Sequence, residues 1–96
     1  MENMKRALVS GGSGALGSAI CEQLAKDGFE VFIHTNNAME AALILEKKIT
    51  ASGGSAKILR FDVTDGPATR EVLEQAAEEK PFQVIVNCAG IHDDAV

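Results

Sequence analysis

Gly11, Gly12, Gly14 and Gly17 fall within the stretch Gly11-Gly12-Ser13-Gly14-Ala15-Leu16-Gly17, just after the apolar run Ala7-Leu8-Val9. Glycine lets the main chain turn tightly and approach a ligand closely. A helix that opens at such a turn offers unpaired N–H groups and the positive end of its dipole. The chemistry on offer is anion binding by main-chain amides, and the anion that fits an apolar strand, a glycine turn and an amphipathic helix in that order is a pyrophosphate. The competing reading is an ordinary tight strand-to-helix turn, which gives no reason for three glycines at positions 11, 14 and 17.

The elements that must position this turn follow from apolar patterning. A first strand is expected over residues 4–10. A helix from about Ala15 to Asp27 sets Leu16, Ile20 and Leu24 on one stripe toward the sheet, and Gly28 is its stop. Val31-Phe32-Ile33 is a second strand, ended by His34-Thr35-Asn36-Asn37. Asn37 and Glu40 have capping-box spacing, so a second helix starts near Ala38, with Ala38, Ala41, Ala42, Leu45 and Ile49 inward and Ser52-Gly53-Gly54-Ser55 closing it. Lys57 to Phe61 is a third strand. Thr64 is the expected N-cap of a third helix, with Pro67 in its first turn and Ala68, Val72 and Ala76 inward, running to about Lys80. Phe82 to Val86 is a fourth strand, followed by the turn Asn87-Cys88-Ala89-Gly90.

The order β-α-β-α-β-α-β with apolar strands predicts an α/β fold, a doubly wound parallel sheet with helices on both faces. Right-handed crossovers give the strand order 3-2-1-4, and the ligand belongs where strands 1 and 4 diverge. Val84-Ile85-Val86 would then lie on an edge although it is apolar enough for a central strand. The 96 residues therefore read as one domain's N-terminal part, truncated after the fourth strand.

Composition narrows the partners. The formal net charge is −5. From Asp62 onward eight acids stand against two bases, while the earlier residues are nearly balanced. No basic stripe runs along any element, which argues against nucleic acid. No apolar run approaches the roughly 20 residues needed to cross a bilayer, and no signal peptide is visible, so a cytoplasmic protein is expected. Cys21 and Cys88 fit neither a CxxC nor a zinc spacing and read as buried, reduced thiols. No metal site is expected.

Three stretches together, Ser10-Gly11-Gly12-Ser13-Gly14-Ala15-Leu16-Gly17, Asp62-Val63-Thr64-Asp65 and Asn87-Cys88-Ala89-Gly90, resemble the short-chain dehydrogenase/reductase family over essentially the whole chain. Within it they look most like the beta-ketoacyl-acyl-carrier-protein reductases. Ser10 stands where the family usually has Thr, Ala15 replaces a glycine of its TGxxxGxG pattern, and Cys88 replaces an Asn. Glycines 11, 14 and 17 also fit the TGxxGxxG spacing of the extended, epimerase-like branch. Asp62-Val63 and Asn87-Cys88-Ala89-Gly90 favour the reductase type.

The resemblance implies a Rossmann-type dinucleotide-binding domain over residues 1–96. It places Gly11, Gly12, Ser13, Gly14 and Leu16 along the adenosine ribose and pyrophosphate, with Gly17 serving close helix-to-strand packing. His34, Thr35 and Asn36 fall beside the adenosine ribose. An acid there would hold the 2′-OH of NAD, and none is present, so NADP(H) is favoured over NAD(H). His34 is read either as a phosphate contact or as a plain strand-end residue. Asp62 and Val63 correspond to the pair that holds the adenine. Asn87, Ala89 and Gly90 would lie along the nicotinamide-side ribose. His92 and Asp93 read as solvated loop residues.

The implied activity is NADPH-dependent reduction of a 3-oxoacyl thioester on acyl carrier protein, as in fatty-acid, polyketide or aryl-polyene synthesis, by a longer homo-oligomeric parent. Hydride transfer to a ketone needs an acid for the developing alkoxide, which the family supplies as a Tyr with a nearby Lys and Ser. This chain has no Tyr, so no catalytic residue is assigned and the chain alone is expected to be inactive. The alternatives are a non-catalytic dinucleotide-binding or sensing module, or a dehydrogenase acting on another small alcohol or ketone.

Overall fold

The computed structural model describes residues 4–88. Seven elements follow one another: β1 (Arg6–Ser10), α1 (Ala15–Lys26), β2 (Glu30–Thr35), α2 (Met39–Ala51), β3 (Ser55–Arg60), α3 (Gly66–Glu79) and β4 (Val84–Asn87). The four strands form one sheet in the order β3-β2-β1-β4. Every pairing is parallel, with Leu8 opposite both Phe32 and Ile85. This is the doubly wound arrangement that the alternating pattern predicts.

Burial separates the inner strands from the outer ones. β1 and β2 are buried along almost their whole length, whereas β3 has a single buried residue and β4 alternates between half-buried and exposed positions. Ile85 is 67% exposed. The apolar runs are therefore accounted for on both faces only at the centre of the sheet.

On one face α1 and α2 enclose a core of Val9, Cys21, Val31, Ile33, Ala42, Leu45 and Ile49, with Ile20, Leu24 and Val86 packed around it. Of the Leu16–Ile20–Leu24 stripe, Ile20 and Leu24 pack against the core and Leu16 does not. The buried positions of α1 are Gly17 and Cys21, and Leu16 is 53% exposed. The helix is set so that Gly17 meets the backbone of the preceding turn, which leaves Leu16 outside the core. In α2, Ala42, Leu45 and Ile49 are buried as expected, while Ala38 and Ala41 are exposed. The Asn37–Glu40 capping box does not form. Thr35 accepts from the Ala38 N–H at 3.1 Å instead.

α3 covers the other face in a different way. None of its residues is fully buried. Its N-cap is Asp65, whose side chain accepts from the Ala68 N–H, one residue beyond the expected Thr64. Its other end is held by Arg6, a 5% exposed guanidinium at the start of β1. Arg6 Nη1 donates to the carbonyls of Ala76 (2.9 Å) and Lys80 (2.8 Å), which the last turn of a helix leaves without partners. Nε meets Glu30 at 3.2 Å, and the guanidinium carbon lies 4.6 Å from the centre of the Phe32 ring. Phe82, just before β4, packs edge-on against that ring at 5.1 Å. A positive charge at a helix C-terminus is favourable, and a buried guanidinium is tolerated because nearly every donor is satisfied.

Two outcomes are expected. Arg6→Ala strips α3 of its main anchor, leaves two carbonyls unpaired and takes one of Glu30's partners, lowering unfolding free energy by about 3 kcal/mol in urea titrations; a midpoint unchanged from the parent would contradict the clamp. Burial, with smaller contributions from Cys88 and Glu22, pushes the Cys21 thiol up from 9.0 to about 12. Its folded form thus holds a proton that the unfolded form loses, so stability is full below pH 9 and falls as pH rises toward 12. A Cys21→Ala variant, weaker at neutral pH, should show a flatter decline over that window.

Candidate functional site

The site sits at the carboxyl edge of the sheet, where the β1–α1 turn, the β2 end and the β3–α3 segment come together. The turn begins at Gly11 with a φ of +66°, a left-handed conformation that glycine adopts without strain. Gly14 N–H closes it onto Gly11 O at 3.2 Å. α1 then starts with Gly14 as an N-cap that has no side chain to offer its first amides. Among the described residues, the N–H groups of Ser13, Ala15 and Leu16 donate to no protein acceptor, and Gly14, Ala15 and Leu16 are exposed. These free amides at a helix start are the donor set that an anionic diphosphate needs.

Two glycines give the turn its shape by the absence of a side chain. A methyl group at position 17 would collide with Gly11 O and lie 2.7 Å from Gly12 Cα. At position 12 it would meet Val9 O at 2.9 Å and Cys21 Sγ at 3.2 Å. Position 14 is different, since a methyl there would make only an ordinary 3.6 Å contact with Gly11 O.

His34 lies at the end of β2, 3% exposed, and is turned inward. Its Nδ1 accepts from the Gly11 N–H at 2.9 Å, so Nε2 carries the proton and donates to Phe61 O at 2.8 Å. The ring also lies against Phe61, centroid to centroid 4.1 Å. With both nitrogens engaged, it presents no free donor to a phosphate. The Gly12 N–H donates to the His34 carbonyl at 3.0 Å, so the first two amides of the turn face the protein. No pattern in the sequence distinguishes an inward strut from an outward contact at a strand end.

Thr35 is buried, and its hydroxyl accepts from Ser13 Oγ at 3.3 Å as well as from Ala38 N. Asn36 offers its carbonyl to Arg60 Nε at 3.1 Å. Asp62 is exposed and accepts from both the amide (2.9 Å) and the hydroxyl (2.7 Å) of Thr64 through Oδ1. Those two bonds hold its carboxyl below the usual carboxylate range. Val63 beside it is exposed. Across the switch point, Ser10 Oγ donates to Asn87 Oδ1 at 2.8 Å, joining β1 to β4. Ala89, Gly90, His92 and Asp93 lie outside the described residues. Gly11 to Leu16, Thr35, Asn36, Asp62, Val63 and Asn87 thus share one edge of the sheet.

The more enclosed hollow lies elsewhere. A cavity of about 350 Å³ between the C-terminal ends of α1 and α2 is lined by Ala25, Lys48, Ile49 and Gly54. It is at the opposite edge of the sheet, and an open shelf above strand ends is what a dinucleotide occupies in this architecture. Among the described residues no group of His, Cys, Asp or Glu is placed to hold a metal ion, and no helix is long and apolar enough to cross a membrane.

Comparison with known proteins agrees with the geometry. The model of a family described as short chain dehydrogenase matches residues 5–96. An acetoacetyl-CoA reductase of Allochromatium vinosum is 37% identical over 94 residues, which is 92% of this chain and 37% of that protein. An uncharacterized oxidoreductase of Bacillus subtilis, UxuB, is 39% identical over 96% of this chain and 34% of its own length. Among solved structures, a variant of actinorhodin polyketide ketoreductase with NADPH superposes with a TM-score of 0.81 at 26% identity, covering 91% of this chain and 33% of that one. The FolM alternative dihydrofolate reductase 1 of Brucella suis, in complex with NADP, gives 0.74 at 30% identity, over 88% of this chain and 33% of that one. The chain spans about a third of the length of these relatives.

The glycine geometry yields a graded expectation. Gly17→Ala should abolish nicotinamide dinucleotide binding in an isothermal titration and lower the melting temperature, because backbone must move. Gly14→Ala should leave both within about twofold or a few degrees, since its new contact is ordinary. Equal effects at the two positions would refute the close-approach account.

Proposed function

Since the chain belongs to the short-chain dehydrogenase family, we propose that it is the cofactor-binding part of an NADPH-dependent oxidoreductase that reduces a ketone on an acyl thioester. The single observation that carries the reading is the β1–α1 turn, with the amides of Ser13, Ala15 and Leu16 left open at the start of α1. A diphosphate fits that donor set, and no charged side chain is needed to hold it.

In this reading the adenosine half runs from the turn past Thr35 and Asn36 toward Asp62. The Asp62 carboxylate, oriented by Thr64, accepts from the exocyclic amine of the adenine, and Val63 lies against the ring. Gly12 and Gly17 keep the turn close to α1, and His34 holds Gly11 in place. Asn87, fixed by Ser10, and Ala89 and Gly90 beyond it flank the nicotinamide-side ribose. The end of β2 carries no acid, which admits a 2′-phosphate and favours NADP(H). The bound dinucleotide supplies the hydride. The residues here bind and orient it.

The acyl thioester substrate draws support from the resemblance of the motifs to ketoacyl reductases, and from the acetoacetyl-CoA reductase and the NADPH-bound polyketide ketoreductase among the similar proteins. Acyl carrier protein as the carrier, a homo-oligomeric parent and a cytoplasmic setting belong to the same proposal. The proton for the alkoxide is assigned to no residue of this chain, which has no Tyr.

Titration of the chain with NADPH and NADH should show saturable binding of both, tighter for NADPH. Mixing it with NADPH and a 3-oxoacyl thioester should show no loss of absorbance at 340 nm, while a parent protein containing a Ser and a Tyr-xxx-Lys beyond this sequence should oxidise NADPH. Absence of binding by either cofactor would overturn the proposal, and turnover by the 96-residue chain would overturn the division of labour.

A further inference from the structure

We propose that Arg60 is the residue that selects NADPH over NADH, by taking the 2′-phosphate of the adenosine ribose from the end of β3. The inference rests on the dinucleotide reading above and deepens it. The sequence offers His34, at the end of β2, as a phosphate contact, and the structure turns its ring away. Gly14 has no side chain, and His34 is buried with both ring nitrogens bonded to Gly11 and Phe61.

Arg60 is the last residue of β3 and stands in register with Thr35, the last residue of β2. It is exposed. By strand alternation it follows Ala56 and Ile58 on the face that α2 covers. Its Nε donates to the Asn36 carbonyl at 3.1 Å, so the guanidinium is fixed beside the β2–α2 connection. Among the described residues, no acceptor meets its two terminal nitrogens. The result is a planar cationic fork, anchored at one nitrogen and open at the other two, where an NAD-selective protein would place an acid. His34 and Thr35 at the end of β2 and Asn36 and Asn37 in the connection carry no carboxylate. The carboxylate of Asp62 is turned into its own loop by Thr64. A phosphate dianion matches two parallel N–H donors of a guanidinium, and a 2′-OH gains nothing comparable from them.

The test compares the parent chain with Arg60→Gln and Arg60→Lys, titrating each with NADPH, NADH, 2′,5′-ADP and 5′-AMP at low and high salt. Arg60→Gln should weaken NADPH and 2′,5′-ADP about tenfold or more, the scale of one charge-assisted phosphate contact, and leave NADH and 5′-AMP within twofold. Arg60→Lys should recover part of the loss, because it keeps the charge without the fork. The steeper salt dependence of NADPH over NADH should shrink in Arg60→Gln. Arg60 is exposed and its one bond goes to a loop carbonyl, so melting temperatures of the free proteins should agree within a few degrees. Equal losses for phosphorylated and unphosphorylated ligands, or no loss for either, would overturn the assignment while leaving dinucleotide binding intact. Failure of the parent chain to bind any of the four would overturn the dinucleotide reading itself.

Discussion

The separation between α1 and the turn that precedes it governs the whole carboxyl edge of the sheet. Gly17 brings the helix axis so near that main-chain atoms of residues 11 and 12 occupy the space any side chain would need. That approach aims the helix start outward, which leaves the amides of Ser13, Ala15 and Leu16 without a protein acceptor and those of Gly11 and Gly12 bonded to His34. It also sets Cys21 in the core, with Ile20 and Leu24 packed against it. Leu16 is left exposed at the mouth of the turn as a result. A local steric constraint thus decides both which face of the helix is buried and which amides are available.

The opposite edge depends on charge. α3 contributes no fully buried residue, so apolar burial alone holds it weakly to the sheet. Arg6 compensates by joining carbonyls at the end of α3, the Glu30 carboxylate and the Phe32 ring. The two edges divide the tasks. Directional polar bonds fix the structure at the amino ends of the strands, and open main-chain donors are kept at the carboxyl ends.

The fold was largely legible in the sequence because its signals are local and repeated. Apolar runs of strand length alternate with helical periodicity, and Gly28 stops α1 with a φ of +95° as its position suggests. Strand order followed from the handedness of crossovers alone. What the sequence concealed is of two kinds. Caps are decided by one hydrogen bond among several near-equivalent residues, so Asp65 displaced Thr64, and Thr35 did what Asn37 was expected to do. Partners distant in sequence are the second kind. Nothing in the residues around Arg6 points to Ala76, and nothing around His34 points to Phe61. At the site, the glycine positions were readable because the steric requirement has only one residue type as its answer. The direction in which a strand-end side chain faces depends on contacts that no periodicity encodes.

His34 also ties two parts of the site into one mechanical unit. Gly11 opens the β1–α1 turn, and Phe61 immediately precedes Asp62 on the β3–α3 segment. An imidazole hydrogen-bonded through both nitrogens is a rigid spacer of fixed length, unable to swing without releasing one end. The two rims of the groove therefore shift together or not at all, and its width is set by the dimensions of a single aromatic ring.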